Sequence, residues 1–167
     1  MMQATKSAPP SRLREAQVLL TVVRCGAGRG LVGLRVLDGS PGAASEHFIP
    51  FRAAEADNDH GRELTYAGVI AALDRLRALK LHRISILVDD STLVNELERK
   101  LEPPRELFLQ YVILGCKLNE FARANVVVTP AERLEELRAK TATLAATIYR
   151  QAAGSRQSDL LPLAPAI

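Results

Sequence analysis

The sequence predicts an α/β domain on a five-stranded mixed sheet with helices on both faces. Three observations carry that expectation. The N-terminal third holds three short apolar runs separated by glycine-rich or polar turns. The apolar period then changes from two residues to about 3.6 near Tyr66. Beyond it, strand-like runs alternate with helical stripes, the pattern of strands joined by helical crossovers. The expected order is β-β-β-α-β-α-α-β-α.

Each element has a local reason. Gln17 to Val23 is β-branched and apolar, a buried strand. Gly26, Gly28 and Gly30 turn the chain. Leu31 to Leu37 alternates, with Leu31, Gly33, Arg35 and Leu37 on one face and Val32, Leu34 and Val36 on the other. Asp38-Gly39-Ser40-Pro41-Gly42 is a turn signal, and Ser45 to Phe51 follows as a third strand of an antiparallel meander. After a polar loop over residues 52–62, Tyr66, Val69, Ile70, Leu73, Leu76 and Leu79 form one helical stripe. Ile84 to Val88 is a continuous apolar run, as a central strand covered on both faces requires. It ends at Asp89-Asp90-Ser91, before a short helix from Thr92 to about Lys100. Pro103-Pro104 opens a longer helix whose stripe is Leu107, Phe108, Tyr111, Leu114, Leu118 and Phe121. Val126 to Val128 is the last strand. Thr129, with Glu132 three residues on, has capping-box spacing before a final helix from about Ala131 to Ala152.

A chain of 167 residues is one domain by length, with enough residues to bury a core. Residues 1–13 are expected as a flexible tail, 14–152 as the domain and 153–167 as a second tail with an apolar Leu160–Leu163 patch. Apolar residues at 47% and charged residues at 25% argue against wholesale disorder. No apolar run reaches the roughly 20 residues of a membrane span. Two cysteines far apart make neither a disulfide framework nor a zinc site, and suit a reducing cytoplasm. Three scattered histidines add no zinc spacing. With no tryptophan, a broad base-stacking surface is not expected.

Four strings along residues 16–150 then resemble the ribonuclease H fold, in particular its reverse-transcriptase-like branch. Cys25-Gly26-Ala27 stands where that family has Asp-Gly-Ser or Asp-Gly-Ala at the end of its first strand. Leu64 to Leu73 is similar to its first-helix string, Ala-Glu-Tyr-x-Ala-Leu-Ile-x-Gly-Leu. Asp90-Ser91-Thr92-Leu93-Val94 matches its fourth-strand ending position for position, and Thr141 to Ala145 is similar to Ala-Asp-x-Leu-Ala of its last helix. The resemblance implies cleavage of the RNA strand of an RNA–DNA hybrid by two Mg²⁺ ions held ~4 Å apart on carboxylates from different elements.

Carried over by position, the four acids fall on Cys25, Thr65, Asp90 and Ala142. Only Asp90 is a carboxylate, and a thiol suits Mg²⁺ poorly. The expectation is therefore a degenerate metal site without a cofactor, and a buried, inert Cys25. A relocated site built from Glu63, Asp89, Asp90 and Glu136 is the enzymatic alternative, with Mg²⁺ as cofactor. Against it, Asp89 and Asp90 as neighbours in a strand point to opposite faces. Asp90 also has the position of an N-cap for the helix after it.

A surplus of three positive charges is too small to imply nucleic acid by itself. Its distribution says more. Arg24, Arg29 and Arg35 cluster around the first turn and second strand, and Arg75, Arg77, Lys80, His82 and Arg83 around the end of the first long helix. The first reading is a nucleic-acid-binding or interaction module that takes an RNA–DNA hybrid or duplex RNA through Arg24, Arg29, Arg35, Lys80 and Arg83 without cleaving it. The alternatives are the Mg²⁺-dependent nuclease, and a protein-binding or homodimerising domain using the apolar helix from Phe108 to Leu118.

Overall fold

A computed structural model describes residues 14–26, 28–39, 42, 44–54 and 61–158. The expected N-terminal tail, residues 1–13, lies outside the described residues, as do residues 159–167 with the Leu160–Leu163 patch. Among the described residues the strands are β1 (Ala16–Gly26), β2 (Arg29–Leu37), β3 (Ala44–Arg52), β4 (Arg83–Val88) and β5 (Arg123–Val128). The α-helices are α1 (Arg62–Ala78), α2 (Ser91–Leu97), α3 (Phe108–Asn119) and α4 (Glu135–Ser158).

The strand order is β3-β2-β1-β4-β5. β1, β2 and β3 pair antiparallel, whereas β4 runs parallel to both β1 and β5. The composition of each strand follows from its place. Central β1 buries Val18 and Leu20 on one face and Leu19 and Thr21 on the other. Edge strand β3 tolerates Ser45, Glu46 and His47 because one of its flanks meets water.

The two faces carry unequal cores. On one, Val18, Leu20, Val32, Leu34, Ile84 and Ile86 pack with Tyr66, Val69, Leu73 and Leu76 of α1 and Leu114 of α3. On the other, α4 and the 3-10 turn before it set Leu134 and Leu137 against Leu19 and Leu87. Gly33 lets α4 settle there: a Cβ on it would stand 2.1 Å from Thr141 Oγ1. Thr141 is fully buried, and its hydroxyl donates to the Leu137 carbonyl at 2.7 Å.

Four expectations change. Thr129 forms no capping box: its amide donates to the Val88 carbonyl at 2.7 Å, extending the sheet, and Ala131–Leu134 is a 3-10 turn. The helix after Pro103-Pro104 begins only at Phe108, because Arg105–Leu107 is also 3-10. Phe108 leaves the expected core stripe and is 60% exposed, while Leu107 of the 3-10 turn and Leu114 of α3 keep their places in it. Finally, α4 runs to Ser158, past the expected end at Ala152, because no proline interrupts it before Pro162.

Candidate nucleic-acid interface at the strand ends

β1 and β4 are parallel, so their C-terminal ends lie at one end of the sheet. The N-terminus of α1 returns to that end after β3. Asp90 and Thr65 belong there by topology. Arg24 at the end of β1, Arg29 at the start of β2 and Arg52 at the end of β3 belong there too.

Asp89 and Asp90 diverge across the sheet. Asp90 caps α2, its Oδ1 accepting from the Leu93 amide at 2.9 Å. Its Oδ2 lies 3.5 Å from Arg62 Nη1. Arg62 also pairs with Glu96, which is 1% exposed and accepts a second hydrogen bond from the Tyr66 hydroxyl. The Arg62 guanidinium sits 5.6 Å from the Tyr66 ring centroid as well. A buried carboxylate is thus compensated by a cation and a phenol. Burial first, and the bond to Glu96 second, push the Tyr66 hydroxyl pKa well above its ordinary value.

On the opposite face, Asp89 pairs with Arg138 of α4, whose Nε donates to Thr21 Oγ1 at 3.3 Å. Nearby, Arg35 pairs with Glu46 at 2.7 Å and Glu136 at 3.0 Å, and Lys140 joins the same two carboxylates. The bond from Arg35 leads in holding both Glu46 and Glu136 below the usual carboxylate range. Arg35, expected to meet nucleic acid, is therefore engaged within the protein.

The four acids of the relocated site do not converge. Glu63 accepts from Gln110 of α3 at 3.3 Å, Glu136 meets Arg35, and Asp89 and Asp90 are held as above. Thr65 donates its hydroxyl to the Gly61 carbonyl at 3.2 Å, and Ala142 is exposed on α4. Cys25 belongs with α4, beside Ile148 and Tyr149. String matching placed Cys25 at the centre of the site. Strand alternation sets it on the α4 face with Leu19 and Thr21, away from the side of Asp90, and the register shift falls between Arg24 and Gly26. Burial pushes its thiol pKa up, away from the reactive thiolate. Among the described residues no three His, Cys, Asp or Glu side chains make a metal-holding group. The residues present do not fit a two-metal donor set.

The two expected basic clusters lie at opposite ends of the sheet. Lys80 and Arg83 stand at the beginning of β4, and Arg24 and Arg29 beyond its far end. The length of β4 alone, about 17 Å at 3.3 Å per residue, separates them. Sequence reading missed Arg52, Arg62, Glu96 and Arg138. Two signals were present. Arg62 is a cation at a helix N-terminus, where the dipole disfavours it unless an acid compensates. Glu96 follows buried Leu93 by three residues and so shares its inward face.

No family model and no curated protein matches this chain. Solved structures do. The chain is similar to RNase H1 of the halophilic archaeon Halobacterium salinarum, with a TM-score of 0.61 at 19% identity over 75% of this chain and 92% of that one. It is similar to the N-terminal RNase H domain of a Mycobacterium tuberculosis protein, with a TM-score of 0.59 at 21% identity over 83% and 99%. It is also similar to an RNase H1 from compost in complex with an RNA/DNA hybrid, with a TM-score of 0.56 at 17% identity over 74% and 93%. The fold is ribonuclease H-like. Among the described residues no helix is long and apolar enough to cross a membrane.

Proposed function

We propose that this domain recognises nucleic acid, as an RNA–DNA hybrid or duplex RNA, without hydrolysing it. One observation carries the reading: the division of charge at the C-terminal end of β1. Both Asp90 oxygens are engaged, by the Leu93 amide and by Arg62, where a metal site would need them free. Arg24, Arg29 and Arg52 stand at the same end with no carboxylate partner among the described residues. Such cations meet phosphates and release counterions. The fold supports the choice of ligand: the compost RNase H1 of the same fold is complexed with an RNA/DNA hybrid. The two free cysteines suit a cytoplasmic setting.

A labelled hybrid and a labelled RNA duplex test the reading at low salt. Binding is expected to weaken steeply with added salt, and to weaken about tenfold or more in Arg24→Glu/Arg29→Glu. Neither probe is expected to be cut with Mg²⁺ or Mn²⁺. Metal-dependent cleavage abolished by Asp90→Asn would instead establish a nuclease with relocated carboxylates. A second reading rests on α3, where Phe108, Leu109, Val112 and Ile113 form an exposed apolar stripe. If neither probe binds and light scattering gives a dimer, an interaction domain replaces the first reading.

A further inference from the structure

The charged end of the sheet continues onto the α4 face as a cleft. Its volume is about 250 Å³. Leu31 and Pro50, cross-strand partners on β2 and β3, form one wall. Ile148 and Tyr149 of α4 form the other, and Cys25 lines the cleft as well. Arg29 and Arg52 line it too.

Three features are costly for a protein with nothing bound there. Arg29 and Arg52 are register partners on adjacent antiparallel strands. Like charges directly opposite one another destabilise a sheet, and no carboxylate among the described residues neutralises this pair. Tyr149 and Ile148 remain 53% and 43% exposed although a helix face and an apolar cleft are at hand. The Tyr149 ring lies against the Gly26 backbone, where an added Cβ would be 3.2 Å from its edge, so the ring is seated with much of its surface open.

An anion between the two guanidiniums answers the first feature. A flat apolar group on Tyr149 answers the other two, since aromatic rings stack on any base. The two needs lie in one cleft, and one ligand class carries both groups. We propose that the cleft between β2, β3 and α4 binds a single nucleotide unit, its base against Tyr149 and Ile148 and its phosphate between Arg29 and Arg52. The unit is either a free nucleotide or the unpaired end of a strand. This deepens the nucleic-acid reading by assigning a place to one nucleotide, and it rests on that reading only for the strand-end source.

The test uses the full chain and two probes, adenosine 5′-monophosphate and a short 5′-phosphorylated single-stranded oligonucleotide, followed by calorimetry and NMR. Both are expected to bind and to perturb Tyr149. Tyr149→Ala and Arg52→Glu should each weaken binding about tenfold or more, and Tyr149→Phe should retain it. Cooperative thermal melts at or above the wild-type midpoint for Arg52→Glu, and near it for the Tyr149 variants, show that these variants fold. An oligonucleotide binding tenfold tighter than the monophosphate identifies the strand end as the ligand, and equal affinities identify the free nucleotide. The proposal is overturned if the monophosphate binds no better than inorganic phosphate, or if Tyr149→Ala binds both probes as wild type does. Hybrid binding that persists without any monophosphate binding leaves the nucleic-acid reading standing and removes this one. Monophosphate binding without hybrid binding does the reverse.

Discussion

The two acids that end β4 are chain neighbours with different surroundings. Asp90 joins a network sunk beneath α1 and α2, where Glu96 is fully buried and Arg62 and Tyr66 compensate it. Asp89 joins α4 at the rim, near the open lattice of Arg35, Glu46, Glu136 and Lys140. The charges are similar in kind, so the difference teaches that solvent access sets their energetic weight. A buried carboxylate that loses its cation has no water to replace it, whereas a surface carboxylate does.

The largest expected effect comes from breaking the buried side. Arg62→Met leaves Glu96 uncompensated and should cost about 3–5 kcal/mol in urea unfolding. Adding Glu96→Leu should recover most of that loss, because the orphaned charge goes with it. An Arg62→Met loss below about 1 kcal/mol would erase the distinction between the faces.

Next, Gly33→Ala tests whether α4 is seated by shape rather than by its surface charges. The new methyl meets Thr141 Oγ1, and overpacking of this kind costs about 1–3 kcal/mol. Thr141→Ala in the same chain should restore part of the melting temperature, since Thr141 Cβ would still stand 3.3 Å away.

Asp90→Ala removes an N-cap and should cost about 1 kcal/mol, measurable by thermal or urea unfolding. The cap role alone predicts that Asp90→Asn, which keeps an accepting oxygen, loses much less.

The smallest effect belongs to the rim. Arg35 holds Glu46 and Glu136 below their ordinary pKa of 4.5. A carboxylate depressed on folding contributes stability above its unfolded pKa and loses it as pH falls through the folded value. The gap in melting temperature between wild type and Arg35→Gln should therefore be small at pH 7 and close as pH falls below 4.5. A gap that widens in acid would overturn the assignment of these shifts to Arg35.

Much of this comparison was legible beforehand. The alternation of a strand placed Asp89 and Asp90 on opposite faces, and Asp90 had the position of a cap. Their partners were not legible. Arg62 and Arg138 lie 28 and 49 residues away from Asp90 and Asp89 along the chain, and no local pattern reports such a distance. Arg35 looked free in sequence for the same reason: Glu136 reaches it from 101 residues away. Cys25 shows a different limit. A string match fixes a place along the chain but not the element packed over that face: alternation puts Cys25 with Leu19 and Thr21 on the α4 side, where it lines a cleft with Ile148 and Tyr149.

The sequence by itself determined the order of elements, the mixed sheet and the absence of carboxylates at three family positions. These are local properties: period, turn chemistry and residue identity at a place in the chain. Only the tertiary structure decided which charges are spent on one another and which stand open. It seated Arg62 against Asp90 and Glu96, drew Arg35 into the α4 lattice, and set Arg29 beside Arg52. Electrostatic worth depends on distance and on exclusion of water, and neither exists until distant segments pack.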